Sequence, residues 1–174
     1  HNNVISAVAI ALKEANTPEF SEYICNVKKN AKKVAELFIL LGYDVCTNGT
    51  DNHLLLLNLR NKNITGSKVE YILEKVGISV NKNTIIGDKS AFSPSGIRIG
   101  LCAMTTRGLK EEHCKDIVSF IDRSVILANT IEEKKLIDFK KVIDEMIIYQ
   151  NEELNNIQND VILFTKQFPY LNNL

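Results

Sequence analysis

An α+β fold, with helices layered on a small, mainly antiparallel sheet, is predicted by three features of this sequence. Apolar residues recur at helical spacing over long stretches. Short apolar runs in the middle of the chain are bounded by turn residues. The order is two helices, a hairpin, a helix, a strand, a loop, a strand and then helices. With 174 residues, 45% hydrophobic and 24% charged, the chain is sized for one globular domain, or one domain with an appendage.

Residues 3–15 are small or apolar almost all round, with Val4, Ile5, Val8, Ile10 and Leu12 among alanines, the pattern of a helix buried on most sides. Thr17-Pro18 then supplies an N-cap and a proline at the first helical position, and Tyr23, Ile24, Val27, Ala31, Val34, Ala35, Phe38 and Leu41 follow at helical spacing up to Gly42. Residues 43–47 read as a short strand, 48–52 as a turn and 53–59 as a strongly apolar strand, together an antiparallel hairpin. Thr65-Gly66-Ser67 opens a helix carrying Val69, Tyr71, Ile72, Leu73 and Val76, which Gly77 ends; residues 78–80 read as another strand.

Residues 81–96 are rich in Asn, Lys, Ser, Gly and Pro and lack periodicity, as binding loops often do. Ile97-Arg98-Ile99-Gly100 closes this segment as a strand. A long helix is expected over residues 110–130, with Ile117, Val118, Phe120, Ile121, Val125 and Ile126 inward, and a further helical stretch from about residue 132 to Phe168, ended by Pro169. The Asn-rich residues 151–159 keep Leu154, Ile157 and Val161 in helical register, so they read as a solvated helix face.

Lys and Arg number 21, as do Asp and Glu, so no net field draws the chain to nucleic acid or to an anionic membrane. No apolar run approaches the roughly 20 residues of a membrane span. Cys25, Cys46, Cys102 and Cys114 form no close pair, which disfavours structural zinc; they are expected to be reduced and mostly buried, as in an intracellular protein. The sequence starts without Met or a signal pattern, as a piece of something longer would.

Arg98 is the leading candidate for chemistry. A guanidinium offers a rigid fork of donors matching a carboxylate, and Gly96 and Gly100 beside it suggest room for a ligand. The competing reading is a sheet-edge arginine paired with an acidic side chain. The polar groups of Asn81-Lys82-Asn83-Thr84, Gly87-Asp88-Lys89-Ser90 and Ser93-Pro94-Ser95-Gly96 suit a heterocycle of mixed donors and acceptors, or simply make turns; no phosphate loop is present. His1, His53 and His113 lack partners at metal-ligand spacing, and Cys102 reads as a packing residue. Lys28-Lys29 and Lys32-Lys33 read as a solvated face, with RNA binding as the alternative.

Taken in order, Asp51-Asn52-His53, Leu59-Arg60, Asn81-Lys82-Asn83-Thr84, Gly87-Asp88-Lys89-Ser90-Ala91, Ser93-Pro94-Ser95-Gly96-Ile97-Arg98-Ile99-Gly100 and Thr105-Thr106-Arg107-Gly108 resemble serine hydroxymethyltransferase. His1-Asn2-Asn3 and Ala11-Leu12-Lys13-Glu14-Ala15 fit the same family, so the resemblance covers essentially the whole chain. It implies the C-terminal domain of a fold-type I, pyridoxal phosphate-dependent transferase that interconverts serine plus tetrahydrofolate with glycine plus 5,10-methylenetetrahydrofolate. Residues 1–16 would then be a buried linker helix at the junction with the large domain, and residues 17–174 the small domain with long terminal helices.

By the same resemblance Arg98 grips the substrate carboxylate and Asn83 contacts the folate pteridine. The Schiff-base lysine and phosphate-binding glycines belong to the missing large domain, so no catalytic, cofactor-binding or metal-binding residue is assigned here. The piece alone is expected to be inactive and free of cofactor. The parent is expected to be a homodimer or homotetramer, cytoplasmic or mitochondrial, acting on serine, glycine and folate, with neither nucleic acid nor membrane as partner. One departure stands out: the family's Gly-Thr-Pro-Ala is Gly100-Leu101-Cys102-Ala103 here, which is expected to put apolar bulk near Arg98 and to free a backbone angle. The alternatives are a stand-alone α+β binding module, or the small domain of another fold-type I enzyme.

Overall fold

Apolar spacing and capping chemistry place most elements where the sequence puts them. A computed structural model describes residues 1–168. In chain order the elements are α1 (Asn2–Ala15), α2 (Pro18–Leu40), β1 (Asp44–Val45), β2 (Leu54–Asn58), α3 (Gly66–Lys75), β3 (Asn81–Asn83), β4 (Gly96–Gly100), α4 (Cys102–Thr106), α5 (Cys114–Asn129), α6 (Leu136–Ile148) and α7 (Glu152–Thr165). The four strands form one sheet in the order β1-β2-β4-β3, antiparallel throughout.

Thr17 caps α2 as its position implies, its Oγ1 accepting the Phe20 N–H at 3.3 Å with Pro18 at the first helical position. Val27, Ala31, Val34, Ala35 and Phe38 make the buried stripe of this helix, packing toward the sheet and α5. In the sheet the period of two separates the faces: Leu55, Leu57, Ile97 and Ile99 are buried under the helices, whereas Leu54, Leu56, Asn58 and Arg98 lie on the other side. Each fully buried Leu or Ile contributes about 1.5–3 kcal/mol, so the covered face dominates stability. Helices α5 and α7 are joined by Arg123, whose Nη1 donates to Asp160 at 2.6 Å and whose Nε donates to Glu153 at 3.0 Å. The Tyr71 hydroxyl donates to Asp144 at 2.7 Å, linking α3 to α6.

Several expectations shift. The strand placed at residues 78–80 is absent; Gly77 turns the chain at φ 86°, the Ile78 N–H bonds back to Leu73 O, and Ile78 and Val80 pack against the core. The strand falls instead on Asn81–Asn83, inside the segment read as loop. The strand at residues 43–47 stops after Val45, because Thr47 and Asn48 take left-handed conformations. The helix expected from residue 110 begins at Cys114 after a 3₁₀ turn, Ile126 points outward, and the short α4 was not anticipated. The stretch from residue 132 is two helices, parted where Gln150 is left-handed and Asn151 caps α7 by accepting the Leu154 N–H at 3.0 Å. The stop at Pro169 lies outside the described residues.

Helix α1 forms as read but has no buried residue, so the burial its composition implies is not met among the described residues. The cysteines are all free, but only Cys114 is buried; Cys25 is exposed and Cys46 and Cys102 are half-buried. Burial pushes the Cys114 thiol up to about 11, which makes it a packing group rather than a nucleophile.

Candidate ligand-binding face

Helices cover one face of the sheet, and the other carries the candidate residues. β4 lies between β2 and β3, so Arg98 is on an inner strand rather than at the sheet margin. Its cross-strand partners are Leu56 on β2 and Asn81 on β3; one step along, Gly96 stands between Asn58 and Asn83. Directly opposed residues share a face, which brings Arg98, Asn81, Asn83, Asn58 and Leu56 together. Arg98 and Asn83, fifteen positions apart in sequence, become diagonal neighbours at about 7–8 Å by strand geometry.

The Arg98 side chain is exposed, and its Nη2 donates to Asn81 Oδ1 at 3.2 Å. Among the described residues no carboxylate pairs with it, so the inert ion pair considered for it is not formed. One amide steadies the guanidinium and the remaining donors stay available for an anion. Asn83 is half-buried and its Nδ2 donates to Thr84 O at 2.9 Å.

The two glycines beside Arg98 differ. A Cβ on Gly96 would stand 2.4 Å from Ile85 Cδ1 and 2.9 Å from Leu57 O, so Ile85 already occupies the space that the sequence suggested for a ligand. Around Gly100 nothing lies within 4 Å of an added Cβ, and ligand room exists there. Leu101 continues the buried row of Ile97 and Ile99, so its bulk enters the core rather than the Arg98 face. Cys102 starts α4, its carbonyl accepting the Tyr23 hydroxyl at 3.3 Å.

Two residues that the sequence named only within longer motifs are joined here, a pairing it did not anticipate: Arg60, just after β2, and Asp88, in the loop of residues 84–95. Asp88 Oδ2 accepts the N–H groups of Ile85 at 2.8 Å and Ser95 at 2.9 Å; Oδ1 accepts the Ser95 hydroxyl at 2.5 Å and Arg60 Nη2 at 2.6 Å. Arg60 Nη1 also donates to Ile86 O at 3.0 Å. The Ser95 hydroxyl, then the backbone donors and Arg60, hold the Asp88 carboxyl well below the usual carboxylate range. Asp88 is the one acidic residue between positions 81 and 96, and that was the available signal.

The other candidates lie elsewhere. His113 Nδ1 accepts the Lys110 N–H at 3.1 Å and its ring meets Phe168 edge-on at 5.0 Å, a structural role. His1 and His53 are exposed. Lys28, Lys29 and Lys32 lie on the solvent side of α2. Among the described residues, the open sheet face beside Arg98 presents asparagines and leucine, a set that suits an anion and a heterocycle.

A four-stranded antiparallel sheet covered by helices on one face only is the architecture of the C-terminal domain of fold-type I transferases. Residues 1–121 match the family model described as serine hydroxymethyltransferase. The cytosolic serine hydroxymethyltransferase of Candida glabrata is 45% identical over 97% of this chain and 36% of its own length. Its counterpart in Saccharomyces cerevisiae is 44% identical with the same coverage, and the serine hydroxymethyltransferase of Plasmodium falciparum 42% identical over 98% of this chain and 38% of its own length. The chain belongs to the serine hydroxymethyltransferase family. It spans about a third of the length of these curated relatives.

Proposed function

We propose that this chain is the C-terminal, substrate-facing portion of an enzyme that interconverts serine plus tetrahydrofolate with glycine plus 5,10-methylenetetrahydrofolate, and that it does no chemistry alone. The observation that carries the reading is the exposed Arg98 guanidinium, steadied by Asn81 and without a carboxylate partner among the described residues. Arg98 binds the amino-acid carboxylate through paired N–H donors. Anchoring that carboxylate fixes which bond at the α-carbon is presented for cleavage. Asn83, on the same face, presents its amide to the pteridine of the folate.

The family implies pyridoxal phosphate in the intact protein. The groups that bind this cofactor are proposed to lie outside this chain, in a large domain and in a homodimer or homotetramer, a reading supported by the third of the relatives' length that the chain spans. The relatives' names place those proteins in the cytosol or in mitochondria, and the same compartments are proposed here. Among the described residues no helix is long and apolar enough to cross a membrane. Identity along nearly the whole chain to serine hydroxymethyltransferases disfavours the stand-alone binding module and its RNA variant.

The test is Arg98→Lys in the intact protein. Hydrogen bonds to charged groups are worth about 1.5–3 kcal/mol, so kcat/KM for serine should fall about 10- to 100-fold, with the tetrahydrofolate KM little changed. Wild-type serine kinetics in the variant would refute the assignment.

A further inference from the structure

We propose that Arg60 and Asp88 are positioning residues that set the affinity for the folate co-substrate without touching it, by fixing the loop that follows Asn83. The inference rests on the folate reading of Asn83. Residues 84–95 contain no helix or strand, and both of their ends converge on one carboxylate: Ile85 at the start and Ser95 at the end each donate a backbone N–H to Asp88. Arg60 ties that carboxylate to the end of β2, its second Nη reaching the Ile86 carbonyl. A planar fork spans both acceptors, which a point charge cannot do.

The clamp seats the buried Ile85, but core packing does not extend into the middle of the loop. Ile86 and Phe92, the large apolar side chains near either end of the loop, are 98% and 94% exposed, so core packing does not shape the loop between its closed ends. What the clamp does fix is local. It seats Ile85 over Gly96, the cross-strand partner of Asn83, and so determines how the chain leaves Asn83. Release of the carboxylate would free that exit and let the Asn83 amide sample orientations that do not meet the heterocycle. Arg98 lies on β4, held on both sides by strand pairing, and does not depend on the clamp.

Asp88→Asn and Arg60→Lys in the intact protein test this. Asparagine keeps the shape of Asp88 but loses the charge and one acceptor oxygen; lysine keeps the charge of Arg60 but not its fork. Both should raise the tetrahydrofolate KM about tenfold while the serine KM stays near wild type, with some fall in melting temperature for Asp88→Asn because its ionised carboxylate is bonded in the fold, and Asp88→Asn should also raise hydrogen exchange at the Ile85 and Ser95 amides. An unchanged tetrahydrofolate KM overturns the inference, as does a serine KM that rises in parallel with it, which would mark the clamp as merely structural. If the wild-type protein itself shows no tetrahydrofolate-dependent turnover, the folate reading fails first and this inference falls with it; that failure appears in the wild type, not in the variants.

Discussion

Gly96 and Gly100 occupy the same face of one strand and should differ sharply in tolerance. Alanine at 96 must displace Ile85 and press on the Leu57 carbonyl, an overpacking that costs about 1–3 kcal/mol. Alanine at 100 meets open space and should change stability by less than about 0.5 kcal/mol. Urea unfolding of the two variants checks this, and equal effects would contradict it. At this scale the sequence was legible where a residue's setting follows from its neighbours: an arginine between isoleucines does turn to the open face of a strand. It was not legible where the role depends on a distant partner. Asp88 needed Arg60, 28 positions away. Asn30, buried on α2, donates to Thr105 Oγ1 at 2.9 Å and to Leu109 O at 3.0 Å, contacts that no local pattern in its Lys-rich neighbourhood reveals.

Between elements, the break separating α6 and α7 is closed on its α7 side by one side chain, Asn151, after the left-handed turn at Gln150. Asn151→Ala removes the cap accepted from Leu154 and should cost about 1 kcal/mol, whereas Asn151→Asp keeps an acceptor and should stay near wild type; a denaturation midpoint equal to wild type in the alanine variant would count against the cap. Helices with caps and stripes were read almost to the residue, as Thr17 and Pro18 show. Strands were read less well, because pairing rather than propensity selects them. Ile78 and Val80 have the better strand chemistry, but the turn at Gly77 ties Ile78 to α3, and three polar residues, Asn81 to Asn83, meet the free edge of β4 instead. Glu70 then closes the outer side of β3, accepting the Lys82 N–H at 2.9 Å and its ammonium at 2.6 Å.

For the whole molecule, the expectation is a domain that folds without its chemistry. Pyridoxal phosphate mixed with the 174-residue chain should give no stoichiometric, borohydride-reducible adduct at a single lysine, as read by mass spectrometry after peptide digestion. A specific adduct of that kind would show that the chain carries a cofactor site of its own. The fold class was legible from element order alone, since helices that flank a short run of strands have few ways to bury their stripes. Which side of the sheet stays bare was not legible, because Leu54 and Leu56 look as fit for burial as Leu55 and Leu57.

That bareness separates two kinds of selection. Side chains on the helix-covered side answer to folding, whereas on the proposed reading Arg98, Asn81 and Asn83 answer to the ligand; Asn58 also ties Asp44 and the Arg60 N–H and so serves the fold. A library screened only for expression should therefore drift freely at Arg98, Asn81 and Asn83 while Leu57 and Ile97 hold fast, and one screened for growth on the proposed activity should hold both sets. Comparing the two readouts position by position would trace the ligand's footprint without a ligand in hand.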